Sequence, residues 1–599
     1  MQSTWLAPPA FRTGRMTVPL ILLALASACE RGRDAAREVG QAGGREANGE
    51  RAAAAERALV AAMADSDSWA SYGRDQTNQR FSPLNRITTR TVGQLKLAWK
   101  YHTGILNSFE ASPVVVNGTM YVSTPLNHVI ALDAATGRKK WEYAHQYDGV
   151  TVHCCGPVNR GVALYGDRVY MGTLDAQLVA LDAATGKQVW KTRVADNSKA
   201  YAVNGPIVAV DGKVLAGTSG AEYGIRGYLA AYDAGSGEEV WRWYTIPSPA
   251  DGGWWGGWRE ADAFGVSLNR DIAREKRDSA KHADSWQRGG GSVWQAPAVD
   301  RELGLVIFTV GNPSPDLDGS VRPGDNLYTN SIVALDYRTG KMKWYYQQVP
   351  HDVWDLDTAS PVMLVEVGDS AGTRVKAVAQ AGKHGWVDIL DRRTGKPLRR
   401  TRNYVPQENM YAPPTEKGVR MLPGANGGSE WSAHAYHPET GYMYVLAMHQ
   451  PMLYKVRSES FKPPAMWLGG AFVSTGEPQY GLLVAVDLNS GTIAWQKRVA
   501  DPMIGGALAT AGGVVFTGTK DRQFLAYDAK TGEQLWRYRT TGGVNAPPIT
   551  YAVNGRQYVA VAAGGNYQVN APRADEVLAF SLEGGAGQSA DTARQGGAQ

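Results

Sequence analysis

The chain has 599 residues, 43 % apolar and 20 % charged, so most of it should fold as a soluble globule. Its formal charge of +5 is small for this length and the basic residues are scattered, which argues against a nucleic-acid surface. The counts of 69 Gly and 19 Trp predict many turns and a packing element used repeatedly.

Residues 1–28 read as an export signal. Arg12 and Arg15 form a basic start, VPLILLALA from Val18 is a short apolar core, and Ala26-Ser27-Ala28 is a small-residue cleavage site. The apolar run is too short for a good transmembrane span. Cys29 follows the site at once, where bacterial lipoproteins carry lipid, although Ala26 stands where a lipobox has Leu. Lipid anchor and plain secretion both stay open, and either places the mature chain outside the cytoplasm, in the periplasm. Residues 29–67 are rich in Ala, Arg, Glu and Gly and read as a flexible tether or weak helix. The folded body is expected over 68–582, followed by a small polar tail, 583–599.

One phrase recurs through the body. ALDAATGRKKW ends at Trp141, ALDAATGKQVW at Trp190 and AYDAGSGEEVW at Trp241. ALDYRTGKMKW ends at Trp344, AVDLNSGTIAW at Trp495 and AYDAKTGEQLW at Trp536. ILDRRTGKPLR, ending at Arg399, is a degenerate copy, and LKLAW, ending at Trp99, keeps the Trp without the turn. The apolar start is a strand, Asp opens a turn, Thr or Ser with Gly closes it, and a second strand ends in Trp. The spacing of roughly 40–50 residues fits four-stranded units. An all-β, eight-bladed β-propeller is therefore predicted, with the tryptophans docking blade on blade. The strand near Trp99 is expected to complete the last blade beside VLAFSL, ending at Leu582. Wider gaps, Asp233 to Asp336 and Asp391 to Asp487, hold inserted loops.

Loops at one end of a propeller supply its site. Four polar segments break the repeat: FEASPVV with Glu110, TSGAEYGIRG with Glu222, VGNPSP with Asn312, and PHDVWDLD with Asp352, Asp355 and Asp357. Each alone also reads as a turn cap or a solvated acid. HCCGPVNRG sets Cys154 beside Cys155, either as free thiols or as a disulfide. CxxCH, Walker, Rossmann and zinc spacings do not occur.

These segments, in this order, together with SYGRDQTNQRFSPLNRI from Ser71 and GGALATAGGVVFTG, resemble the pyrroloquinoline quinone-dependent alcohol dehydrogenases, the quinoprotein family that includes methanol dehydrogenase. The resemblance covers nearly the whole body and implies an eight-bladed propeller. It implies that Glu222, Asn312 and Asp355 hold a metal, usually calcium, whose preference for oxygen suits these groups. Asp355 matches the general base, and Lys383 in QAGKHGW the basic residue near the reactive carbonyl. Arg160 matches a partner of a cofactor carboxylate, Glu110 a polar residue on the cofactor rim, and Trp294 the ring beneath the quinone. Ser219, Gly220 and Ala221 match a cofactor-contacting turn. Asp357 matches the extra Asp of lanthanide-preferring members, although D-x-D also simply shapes a loop. The resemblance, with export, also favours a Cys154–Cys155 disulfide over one face of the quinone, opposite Trp294. The implied reaction oxidises an alcohol and passes electrons to a separate cytochrome c or a membrane quinone.

The chain departs from the family pattern at VNGP near Pro206, at Met503 and Ile504 where a Trp is common, and at AAGGNYQ near the C-terminus. These pocket positions leave open a sugar or polyol dehydrogenase. A non-enzymatic propeller scaffold of the outer-membrane assembly type is the third reading. The insertion DGGWWGGWREADAFGV, from Asp251, either covers the channel mouth or packs on the surface.

Overall fold

A computed structural model describes residues 49–149, 151–368 and 373–584. The export signal, Cys29 and the tail beyond 584 lie outside the described residues. The chain divides by contacts into Met1–Ala53 and Ala54–Gln599. Of the first unit only residues 49–53 are described, and they are helical. In the second, the helix continues to residue 64 within the segment expected as a tether or weak helix. Leu59 is buried there with Tyr165 and Ile207. Glu56 Oε2 accepts hydrogen bonds from Tyr165 Oη at 2.9 Å and the Asp211 amide at 2.7 Å.

The body is a β-propeller. Among the described residues, eight sheets hold four antiparallel strands in a meander, one of them extended by the parallel strand Phe81–Ser82. The repeat supplies the third and fourth strands of its sheet. Its Asp side chain accepts the turn amides two and three residues on, as Asp133 does from Ala135 and Thr136, and its Gly takes positive φ, 73° at Gly137. Apolar faces of successive sheets then pack together. Val129, Ala131 and Trp141 of one meet Val169, Val179 and Leu181 of the next.

The tryptophans dock as expected, and the geometry explains the Gly as well. Trp99 Nε1 donates to the Ala134 carbonyl at 3.1 Å, Trp141 Nε1 to Ala183 at 3.0 Å, and Trp190 Nε1 to Ala234 at 3.3 Å. Each acceptor follows the repeat Asp of the next copy. A Cβ at Gly137 would fall 2.6 Å from the Trp99 ring, and one at Gly186 2.5 Å from Trp141. The Gly thus serves both the turn and the ring of the preceding sheet. In the degenerate copy Arg399 takes the place of Trp: its Nη1 donates to the Leu488 carbonyl at 2.9 Å, after Asp487. Trp536 Nε1 closes the circuit onto the Leu95 carbonyl at 3.3 Å.

The strand Lys96–His102 pairs antiparallel with Glu576–Ser581, Trp99 opposite Ala579, so the two ends of the body share one sheet. A further three-stranded sheet, Val419–Met421, Met452–Val456 and Gly470–Ser474, is built from insertions. The insertion from Asp251 packs on neighbouring loops: the Gly257 and Arg259 amides donate to Asp325, and Arg400 pairs with Asp262 at 2.6 Å.

Candidate active site

Loops between strands of several sheets converge on one cavity with about 980 Å³ of empty space, its open mouth included. The Cys154–Cys155 disulfide and Trp294 both line it, as do Arg160, Ser219, Gly220, Glu222 and Asn312. Asp355, Asp357 and Lys383 complete the expected set. Two expected residues stand one layer back. Glu110 Oε2 pairs with Arg160 Nη2 at 2.9 Å, and its Oε1 accepts from Asn566 Nδ2 at 2.6 Å. Ala221 is buried and its amide donates to Ser292 Oγ at 3.0 Å. None of residues 251–266 line the cavity.

Lys383 is the hub. It leaves the strand Arg374–Ala381 through a tight turn and is 4 % exposed. Its Nζ lies 3.2 Å from Asp355 Oδ2, 2.6 Å from Asp357 Oδ1 and 3.1 Å from Glu430 Oε2, and donates to the Asp355 carbonyl at 3.0 Å. Burial works against the charged ammonium, but the three carboxylates outweigh it and hold Lys383 well above its ordinary range. Burial pushes Asp355 well up, with Lys383 opposing and Asp357 adding to the shift. Burial likewise raises Glu222 and Glu430.

The loop that carries Asp355 is shaped from within. Asp352 is fully buried and accepts the amides of Trp354 and Leu356, both at 2.9 Å, and Asn330 Nδ2 at 2.9 Å. Asp355 sits at φ 57°, in the left-handed region. Arg322, with no exposed surface, ties this loop to the one after Asn312. It donates to the carbonyls of Pro315 at 2.8 Å, Asp316 at 3.0 Å and Asp352 at 2.5 Å.

Arg160 stacks between two rings, 4.9 Å from the Trp294 centroid and 5.2 Å from that of Trp431. Trp431 Nε1 donates to Gln568 Oε1 at 2.7 Å, and Ile504 packs in the same cluster as Trp431 and Trp294. The departures at Ile504 and AAGGNYQ therefore meet behind and beside this wall. Met466, Leu468 and Phe472 from the inserted sheet and its loop make an apolar side to the cavity.

Two acidic residues were not anticipated from sequence. Glu430, in GGSEW, binds Lys383, and Asp316, four residues after Asn312, also lines the cavity. Each is an acid in a Gly- or Pro-rich turn, indistinguishable alone from a cap. Asp316 had one sequence signal, its place four residues after Asn312, and Glu430 had none.

The donor set suits a hard cation and an anionic planar ligand. Carboxylate and amide oxygens line the cavity together with Arg160, which lies beside Trp294. No group of three or more acidic, His or Cys residues among those described is already arranged to hold a metal ion. Asp355, Asp357 and Glu430 gather on Lys383 instead, and the Glu222 carboxylate has no ion-pair partner among the described residues and meets its own backbone amide.

A family model described as glucose/ethanol/alcohol dehydrogenase, beta-propeller domain, matches residues 69–409 and 399–559. Quinohemoprotein alcohol dehydrogenase ADH IIB of Pseudomonas putida is 35 % identical over 88 % of this chain and 79 % of its own length. The quinoprotein ethanol dehydrogenase of the same species is 35 % identical over 82 % of this chain and 85 % of its own. The crystal structure of quinohemoprotein alcohol dehydrogenase from Comamonas testosteroni superposes with a TM-score of 0.79 at 34 % identity, covering 92 % of this chain and 87 % of that one. A europium-containing methanol dehydrogenase gives 0.78 at 30 %, over 87 % and 99 %.

Proposed function

The chain belongs to the pyrroloquinoline quinone-dependent alcohol dehydrogenase family, and from that membership we propose that it oxidises a primary or secondary alcohol to the aldehyde or ketone, with the quinone and a calcium or lanthanide ion in the cavity described above. The observation that carries this reading is the meeting of Asp355, Asp357 and Glu430 on Lys383 in a cavity that Glu222, Asn312, Trp294 and the vicinal disulfide also line. Eight four-stranded sheets support an eight-bladed count.

Glu222, Asn312, Asp355 and Asp357 would hold the cation, and Arg160 a carboxylate of the quinone, with Trp294 and the Cys154–Cys155 disulfide bounding its two faces. Bound there, the quinone supplies the two-electron acceptor and the cation the electrophilic pull on it. Asp355 takes the hydroxyl proton, its burial making it a stronger base than a free carboxylate. Lys383, 3.2 Å from Asp355 Oδ2, favours the ionised form that the base must start from. Asp352 and Arg322 hold the loop and so fix the direction of Asp355. The apolar side made by Met466, Leu468 and Phe472 favours an alcohol with a hydrocarbon substituent over a sugar.

Electrons then leave to a separate acceptor, a cytochrome c, in the periplasm, to which the N-terminal segment directs the chain. Dye-linked oxidation by protein loaded with the quinone and with calcium or lanthanum, over primary and secondary alcohols, polyols and sugars, tests the reading. Turnover confined to alcohols is expected. Turnover confined to sugars would overturn the substrate class, and absence of both turnover and quinone binding would point to a scaffold.

A further inference from the structure

We propose that Asp316 is a further carboxylate ligand of the cation site, and that it biases the site toward a trivalent ion. This rests on the cation reading above and adds a residue and a preference to it.

Asp316 lines the cavity yet is only 3 % exposed. Asn312 Nδ2 donates to its Oδ1 at 2.9 Å, which leaves the amide oxygen of Asn312 free to face the same space. No donor among the described residues meets Asp316 Oδ2, and no Lys, Arg or His pairs with this carboxylate. The nearby guanidinium does not fill that role. Arg322 spends its donors on the carbonyls of Pro315, Asp316 and Asp352 and on Asn326 Oδ1. Lys383 is shared by Asp355, Asp357 and Glu430, and Arg160 is paired with Glu110.

The cavity therefore sets five carboxylates, those of Glu222, Asp316, Asp355, Asp357 and Glu430, against one ammonium. Arg322 and Lys383 act on Asp316 only at longer range, and a buried carboxylate with no direct ion-pair partner is unfavourable, so a cation in this cavity is the natural neutraliser. The attraction grows with the product of the charges, so each added carboxylate gains more with a trivalent than with a divalent ion. The Asn312–Asp316 hydrogen bond places the extra carboxylate beside an expected amide ligand.

The test uses quinone-loaded protein stripped with a chelator, titrated with Ca²⁺ by calorimetry and with Tb³⁺ by tryptophan-sensitised luminescence. Asp316→Asn should weaken Tb³⁺ binding about 10–100-fold and Ca²⁺ binding less. The same substitution should raise the unfolding midpoint of the stripped protein and lower that of the Tb³⁺-loaded protein. A merely structural Asp316 would lower both midpoints, and that result would overturn the proposal. So would unchanged Tb³⁺ affinity in Asp316→Asn while Glu222→Gln abolishes binding, an outcome that leaves the cation site itself standing. Wild-type protein that binds neither ion would overturn both.

Discussion

Lys383 organises the site because one buried ammonium has three carboxylates within 3.2 Å. Such a cluster is stable only while its charges answer one another, so the chemistry and the electrostatics of the pocket are inseparable. At this scale Asp355→Asn should cut kcat by about 10²–10⁴-fold, the usual worth of a general base. Quinone binding, followed by absorbance, should persist. Full turnover in that variant would remove Asp355 from the role of base. A second residue sets an acid limit on stability. His434 is buried, takes the Leu446 amide on Nδ1 at 3.4 Å and lies 2.6 Å from Ser429 Oγ through Nε2. Burial lowers its pKa from 6.5 to about 3. Between those values the unfolded chain holds a proton that the folded chain does not, so the contribution of His434 to stability is full above pH 6.5 and falls as pH drops toward 3. The loss is at most about 1.4 kcal/mol per pH unit. The unfolding midpoint of His434→Gln should therefore rise relative to that of the wild type as pH is lowered from 7 to 4, and an unchanged difference would remove His434 from this role.

At the scale of the element, the Asp–Thr–Gly turn and the Trp are one device split between neighbouring sheets. Trp344 Nε1 donates to the Arg392 carbonyl at 3.2 Å, and a Cβ at Gly395 would lie 2.4 Å from its ring. Trp344→Ala should cost about 3–5 kcal/mol, as large-to-small core changes do. Arg399 performs the same docking with hydrogen bonds to the Leu488 and Asn489 carbonyls, so Arg399→Ala should cost about 1–3 kcal/mol. Arg399→Trp should retain stability, because the neighbouring Gly491 already leaves room above its turn. Denaturant unfolding of the three variants checks the order. Equal losses for both Arg399 variants would mean that this copy has diverged from the docking pattern.

For the whole molecule, closure joins distant ends. Lys96–His102 completes the sheet that ends with Glu576–Ser581, and Lys100 Nζ meets Glu576 Oε1 at 2.7 Å. Phe580 has no exposed surface and packs on Phe524 and Trp536 of the neighbouring sheet. Phe580→Ala should lower stability by about 3–5 kcal/mol, and deletion from residue 576 should abolish cooperative folding, seen as loss of a single thermal transition. Retention of that transition would show that the remaining sheets stand without closure. The cavity depends on the same ring, since Glu222, Asp355, Lys383 and Glu430 come from loops of different sheets.

The amino-acid sequence by itself determined the hairpin repeat, the Trp docking and the closing strand, because turn chemistry, alternation and spacing are local and recur copy after copy. The ordered family motifs also located most of the cavity, from the vicinal cysteines to Lys383. Only the tertiary structure decided that Glu110 stands behind Arg160, that Arg399 replaces a docking Trp, and that Asp316 and Glu430 join the carboxylate set. Asp316 and Glu430 lie more than a hundred residues apart in the chain. Nothing local distinguishes either from an ordinary turn acid. Their meaning arises when burial removes water and leaves their charges to be balanced by Lys383 or a cation, a condition that exists only once the ring has closed.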